Sequence, residues 1–278
     1  MYRQAEVSFG SDGSGDLSGG CRREEGNILA TVRRALDRRD VLLAYQPVVD
    51  ARRPDRPAFF EGLLRVIDDT GRIIPAGQFI EPCERLPMGR MLDCLALEKG
   101  LEALSAAPDL RLAINLSPRS IGHPRWLSTL EAGLAGAPTI AERLIVEITE
   151  SSPILLPAET RAFMADLRRR GISFALDDFG AGHASFLHLS RFEFDFLKIT
   201  GELTTGIHRN RTNQVLVQAL VSVAGQFEMM TVAEAVEEAE EARCLSGIGI
   251  DCLQGYHFGM PTIRPQWSDC PAAMRNAG

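Results

Sequence analysis

Carboxylates and amides interrupt or end a series of short apolar runs along this 278-residue chain, and side chains of those types meeting in one place would do metal-assisted chemistry. Glu61 follows Phe59 and Phe60 and precedes Leu63 and Leu64, Asn115 ends LAIN, and Glu147 and Glu150 stand in IVEITE. Asp177 and Asp178 close FAL, Lys198 ends FDFLK, Glu234 and Glu237 follow TVA, and Gln254 follows CL. Buried strands of a parallel sheet read as nearly continuous apolar runs, so polar residues at these points need a reason. One carboxylate at a strand end is ordinarily a helix N-cap or a turn residue. The whole series is not explained that way, because a buried, unpaired carboxylate costs several kcal/mol unless a cation or hydrogen bonds compensate.

If the strand ends converge, five or more carboxylates share a pocket with one evident lysine. Hard divalent cations with oxygen ligands relieve such repulsion, and the lack of a histidine cluster directs the choice to Mg²⁺ or Mn²⁺ rather than zinc. The adjacent pair Asp177 and Asp178 matters most. Consecutive strand residues face opposite sides, so both reach one site only where the strand gives way to the FGAG turn. One aspartate would then bridge two ions and the other bind the second, and ions about 3.5–4 Å apart form a clamp suited to in-line attack on a phosphodiester.

The elements that must position these residues repeat one theme: a short apolar run, a polar turn and a longer amphipathic stretch. The runs are LLAYQPVV, AFFEGLLRVI, LRLAINLS, LIVEITES, SFALDDFG, FDFLKIT, MMTVAEAVE and IDCLQGYHFG. Between several of them lie helix-like stretches such as RMLDCLALEKGLEALSA, ETRAFMADLRRRG and TNQVLVQALVSVAGQF. Alternation of this kind predicts parallel βα units. Eight is the number that closes a TIM-type barrel, whose active sites lie at the C-terminal strand ends. The expected fold is therefore α/β, a modified TIM (β/α)8-type barrel in a single domain. The Gly-, Ser- and Asp-rich start predicts a flexible tail over residues 1–24, since it has too few apolar side chains to offset its ordering entropy. The barrel is expected over 25–265, opening on a helix marked by Ile28, Leu29, Val32, Ala35 and Leu36, and a C-terminal tail over 266–278.

Bulk composition sets limits. Hydrophobic and charged fractions of 45% and 24% are ordinary for a soluble globular protein. A net charge of -7 argues against a duplex nucleic-acid binder but not against a nucleotide substrate held through cations. Six scattered cysteines with no CxxC pair read as reduced thiols of a cytoplasmic protein. No apolar run approaches the length of a membrane span. His188, His208 and His257 have no partner pattern and read as surface or packing residues.

The motifs as a set resemble the EAL-domain cyclic di-GMP phosphodiesterases of bacterial signalling. From about Asn27 to Pro261, YQPVV is similar to that family's YQPIV, EGLLR to EALLR, NLSP to NVSP and EITES to its ExTE segment. DDFGAGHAS resembles DDFGTGYSS, LKIT resembles LKID, AEAVE resembles AEGVE and QGYHF resembles QGYLF. Eight short motifs in the family's order are specific where one would not be. The resemblance implies that Glu61, Asn115, Glu147 and Asp177 hold a first metal. Asp177 would bridge to a second, bound also by Asp178, with Glu234 a further ligand or the water-activating base. Lys198 would position and polarise the attacking water, and Gln254 would support it. Gln46, Arg65 and Glu237 would contact the dinucleotide, Arg65 pairing a phosphate. Glu150 would steady the loop after Asp178. The implied cofactor is a Mg²⁺ or Mn²⁺ pair, and the implied reaction opens cyclic di-GMP to linear pGpG. Family members also pair through the face near the loop after Asp178, which implies a homodimer.

The chain departs from the pattern at several points. Gly62 stands for an alanine, Ala181 for a threonine, His183 for a tyrosine, and Met260 where the family often has a basic residue. Thr200 stands for the aspartate two residues after the lysine; it keeps a hydroxyl and loses a charge, which bears on catalytic rate more than on fold. An active hydrolase is the leading reading, since every matched metal ligand is present. A catalytically attenuated receptor for cyclic di-GMP is the second, and a protein-interaction module that ignores nucleotides the third.

Overall fold

The structure, a computed structural model, describes residues 17–149, 156–181, 186–265 and 267, with side chains from residue 26 onward. In chain order the elements are α1 (Leu17–Arg38), β1 (Val41–Asp50), β2 (Arg53–Ile67), β3 (Ile73–Pro75), α2 (Ile80–Glu84), α3 (Pro87–Ala106) and β4 (Leu112–Asn115). They continue as α4 (Pro124–Ala135), β5 (Leu144–Thr149), α5 (Pro157–Arg169), β6 (Ser173–Phe179), α6 (Phe186–Arg191), β7 (Phe196–Ile199) and α7 (Gly201–Thr204). The last are α8 (Arg211–Gln226), β8 (Met230–Ala233), α9 (Ala239–Ile248) and β9 (Cys252–Gln254). The first helix, expected over Glu24 to Arg39, runs over Leu17–Arg38, so residues 17–24 of the expected tail belong to α1, and residues 1–16 lie outside the described residues. Of the expected C-terminal tail, Trp267 is described and packs on Tyr45 and Phe60, with ring centroids 4.8 and 4.5 Å apart; residues 266 and 268–278 lie outside the described residues.

The sheet runs β1-β9-β8-β7-β6-β5-β4-β2, and a β1–β2 pairing closes it into an eight-stranded barrel, with β3 added to β2 outside the ring. Six strands from β4 to β9, together with β2, run parallel. β1 runs the other way, antiparallel to both β2 and β9. The first two strands therefore form a hairpin rather than the parallel βα unit that alternation predicts. Its turn is set by Asp50, whose Oδ1 accepts the Arg52 amide at 2.8 Å, a local bond that lets aspartate compete with the sheet ladder.

Inside the ring, Val48, Phe59, Ala113, Ile145, Ala175, Phe196, Val232 and Cys252 form one apolar layer, every member at most 4% exposed. Large and small residues alternate so that Phe59 and Phe196 meet across the axis at 5.4 Å while Ala113 and Ala175 make room. Outside, helices cover the sheet through residues such as Trp126 of α4, whose ring meets that of Phe163 of α5 at a tilt. Arg143 ties the end of α3 to the sheet, donating to the carbonyls of Leu104, Ala107 and Leu110 at 3.0, 3.0 and 2.9 Å. A cation at a helix C-terminus satisfies carbonyls that have no partner within the helix.

Carboxylates at the N-terminal rim of the barrel have ordinary structural work. Asp195 accepts the Phe174 amide at 2.7 Å and pairs with Arg168 at 2.6 Å, tying β7 to β6. Asp251 accepts the amide and hydroxyl of Thr231 at 2.8 and 2.9 Å, tying β9 to β8. Cys83, Cys94 and Cys252 are buried free thiols and Cys244 is half-buried; burial pushes the Cys83 thiol to about 11 and the Cys252 thiol to about 12. Cys21 and Cys270 lie outside the residues whose side chains are described. Among the described residues no helix is long and apolar enough to cross a membrane.

Candidate metal centre

Strand residues alternate faces, so two positions from each member of the inner apolar layer, toward the C-terminal rim, the next inward side chain appears. Those side chains are polar on every strand of the ring. Val48 gives Gln46 on the reversed β1, and Phe59 gives Glu61. Ala113 gives Asn115, Ile145 gives Glu147, and Ala175 gives Asp177. Phe196 gives Lys198, Val232 gives Glu234, and Cys252 gives Gln254. The register carries the same layering: Gln46 is opposite Glu61, and Asn115 is opposite Glu147.

Lys198 stands at the centre, 1% exposed. Its Nζ lies 2.7 Å from Asp177, 2.8 Å from Glu234, 2.9 Å from Glu147 and 3.3 Å from Glu61. Glu61 also accepts from Asn115 Nδ2 at 2.8 Å and from Gln254 Nε2 at 2.6 Å. Gln254 Nε2 reaches Gln46 Oε1 at 3.3 Å, and Gln46 in turn donates to the Gly259 carbonyl at 3.2 Å. Glu147 is fully buried, and its Oε1 has no hydrogen-bond partner.

The charges are unbalanced, and the carboxyls register it. Burial pushes Glu147 well above the usual carboxylate range and Glu61 and Asp177 add repulsion, which Lys198 offsets only in part. Glu234 is raised in the same way, by burial and then by Asp177 and Glu61 against the pull of Lys198. For Glu61 burial works upward, but Lys198, Gln254 and Asn115 outweigh it and hold the carboxyl below its ordinary value. Burial works against the Lys198 ammonium, yet Asp177, Glu147, Glu234 and Glu61 hold its proton well above the ordinary lysine value.

Asp178 resolves the geometry of the adjacent pair. Its φ is +58, the left-handed region, and the β6–β7 register slips between Leu176 and Phe179. That bulge turns Asp178 to the same rim as Asp177, and both line one cavity of roughly 620 Å³. Burial, then Asp177, raises the Asp178 carboxyl. Gly180 follows at φ +102, a left-handed conformation that calls for glycine.

A second cavity of about 300 Å³ is lined by Gln46, Glu61, Glu234, Glu237 and Gln254, with Ala235 and Tyr256 on its wall. Arg65, four residues from Glu61 and on the same face of β2, is half-buried and donates to the Leu64 carbonyl at 2.8 Å; it lines neither cavity. Burial lowers its pKa, with Tyr256 and Glu61 acting the other way. Thr200 is buried just after β7, and Met260 is 65% exposed. At Gly62 an alanine Cβ would meet Leu43 Cδ1 at 3.3 Å, so the smaller residue eases this packing. Glu150 and His183 lie outside the described residues.

Two features of the site have no counterpart in the sequence reasoning. Asp93 of α3 is 5% exposed, lines the larger cavity, and has an Oδ2 without a hydrogen-bond partner. Its signal was a lone carboxylate inside the apolar MLDCLAL. Ala235 adopts φ +53 directly after Glu234; its signal was the glycine that AEGVE carries at the matching position.

The oxygen-rich set suits a hard divalent cation. A fully buried Glu147 oxygen without a donor, and the Glu147 and Glu234 carboxyls raised by burial and then by their neighbours, are what such an ion would relieve. Glu61, Asn115, Glu147, Asp177, Asp178 and Glu234 are the residues able to hold it.

Residues 29–261 match the model of the EAL domain family. The cyclic di-GMP phosphodiesterase PdeF of Escherichia coli is 30% identical over 238 residues, which is 84% of this chain and 32% of that protein. The chain spans about a third of the length of the curated relatives it matches. Among solved structures, the Klebsiella pneumoniae BlrP1 complex with manganese and cyclic di-GMP is 30% identical, with TM-score 0.70, over 80% of this chain and 56% of that one. The PaMucR phosphodiesterase complex with cyclic di-GMP is 27% identical, with TM-score 0.72, over 89% of this chain and 99% of that one.

Proposed function

The chain belongs to the EAL domain family, and from that premise we propose that it hydrolyses cyclic di-GMP to linear pGpG with bound divalent cations, Mg²⁺ or Mn²⁺. The observation that carries the reading is the ring of strand-end residues around Lys198, whose carboxylates outnumber the donors they meet. The names of PdeF, BlrP1 and PaMucR support the same substrate, and the manganese of the BlrP1 complex supports the same class of ion.

Glu61, Asn115, Glu147 and Asp177 would hold one ion, with Asp177 and Asp178 reaching a second. When bound, the pair would offset the negative charge that a phosphodiester gathers in the transition state and would acidify an attacking water. The remaining work falls to the chain itself. Glu234, whose carboxyl burial has already made more basic, would accept a proton from that water. Lys198 would hold the surrounding carboxylates in register and orient the water, while Gln254 and Gln46 fix the far side by their amide chain. The water oxygen bonds to phosphorus, the P–O3′ bond breaks, and a proton returns to the leaving 3′ oxygen. The larger cavity has room for a purine. Arg65 and Glu237 would contact the rest of the dinucleotide.

The test is incubation of purified protein with cyclic di-GMP and Mg²⁺ or Mn²⁺. The expected result is pGpG, formed only with metal and lost in Glu61→Ala. Saturable binding without turnover would leave the receptor reading, which the buried Thr200 in place of an acidic residue favours. Neither binding nor turnover would sink both.

A further inference from the structure

Residues 234–237 form an arm that carries two carboxylates of the smaller cavity, Glu234 and Glu237. Two other loops grip this arm at points that have no side chain. On one side, a Cβ at Gly201 would stand 2.7 Å from the Ala235 methyl, closer than two such carbons approach. On the other, a Cβ at Gly255 would stand 2.0 Å from the Val236 carbonyl oxygen. Backbone bonds sew the arm to both neighbouring strand ends: the Glu234 amide donates to Ile199 at 3.1 Å and the Val236 amide to Gln254 at 3.0 Å. Thr204 Oγ1 donates to the Glu234 carbonyl from the α7 side. Ala235 holds φ +53, a conformation that a residue with a Cβ avoids unless its surroundings impose it.

These contacts leave the arm little freedom, and the Gly201 side is the one filled by a removable group. Gly201 begins α7, two residues beyond Ile199 and three beyond Lys198. A displacement there moves the loop after Lys198 and the loop carrying Glu234 in opposite senses. We propose that Ala235 and Gly201 are positioning residues, forming a contact with room for one methyl group that sets where the Glu234 carboxylate stands relative to Lys198, 2.8 Å away. Which of the two positions carries the methyl matters less than that only one does.

The inference rests on the hydrolase reading for its turnover arm and not for its other arms. Two variants decide it: Gly201→Ala and the double exchange Gly201→Ala with Ala235→Gly. Gly201→Ala puts two methyls into the space of one and pushes Glu234 outward. The expected result is a kcat lower by about ten- to a hundredfold, the cost of misplacing a reacting group by about an ångström, with KM little changed. Mn²⁺ affinity, measured by calorimetry, falls with it. The double variant has one methyl again and recovers kcat, Mn²⁺ affinity and melting temperature toward wild type. A double variant no better than Gly201→Ala overturns the proposal. So does a Gly201→Ala protein that melts lower yet keeps wild-type kcat and Mn²⁺ affinity at temperatures where it is folded, since the contact would then be merely structural. If wild type itself shows no turnover, the hydrolase reading fails, while the calorimetric and melting series still decide the pair.

Discussion

Asp93 offers the sharpest quantitative test of how the fold treats charge. Burial pushes its carboxyl from 3.8 to about 7, and its Oδ2 has no hydrogen-bond partner. The folded protein thus binds this proton more tightly than the unfolded chain does. Below pH 3.8 both states are protonated, and the favourable contribution is fully present. As pH rises, the unfolded chain gives up the proton first, so stability falls until the folded carboxyl also ionises near 7. A rise of that size corresponds to about 4 kcal/mol, an upper bound because the adjoining cavity admits water. Asp93→Asn keeps the shape and removes the titration. Urea denaturation in EDTA, from about pH 4 to about pH 8, should show the variant gaining on wild type across that window by up to about 4 kcal/mol. Other buried carboxyls titrate in both proteins and cancel in the difference. Parallel curves would refute the reasoning, for they would mean that Asp93 ionises in the fold as easily as in the open chain.

Lys198→Met removes the ammonium that, among the described residues, reaches Glu61, Glu147, Asp177 and Glu234. In EDTA it should lower stability at neutral pH by about 3–5 kcal/mol, the usual cost of breaking a buried ion pair from one side. Added Mn²⁺ should return part of that loss, and a variant as stable as wild type in EDTA would contradict the charge imbalance described. Thr200→Asp adds an acidic group beside the end of β7 and should raise kcat; an unchanged rate would show that threonine does not limit the site.

The barrel and most of its rim were legible because two periodicities agree. Apolar runs of strand length marked the eight strands, and the polar residue in each run, from Gln46 to Gln254, fell on the inward face one step above the apolar layer. Direction was not legible. β1 alternates inward and outward in the same way whichever way it runs, and only the hairpin at Asp50 reverses it. The adjacent aspartates were readable as a pair that must meet at a turn, and the φ of Asp178 supplies the means. Asp93 was hidden because helix periodicity does not distinguish a buried carboxylate from one on a helix shoulder. The glycine of AEGVE hinted at the backbone of Ala235, but its cause, contacts with Gly201 and with strand ends distant in sequence, was not legible.

The two rims explain why one is a candidate site and the other is not. Asp195 and Asp251 at the lower rim receive backbone amides and, for Asp195, an arginine, so their charge is answered by the fold. At the upper rim the strands end in open turns, and the carboxylates meet each other with Lys198, Asn115 and Gln254 as the principal donors. The apolar layer beneath keeps water from reaching them from below. In that low-dielectric setting repulsion is strong, and so is the attraction for a cation that enters from above. A well-satisfied ring would have been more stable and would have held no ion. The instability left in this ring is therefore the source of its expected metal affinity, and the fold tolerates it because the barrel beneath is closed and tightly packed.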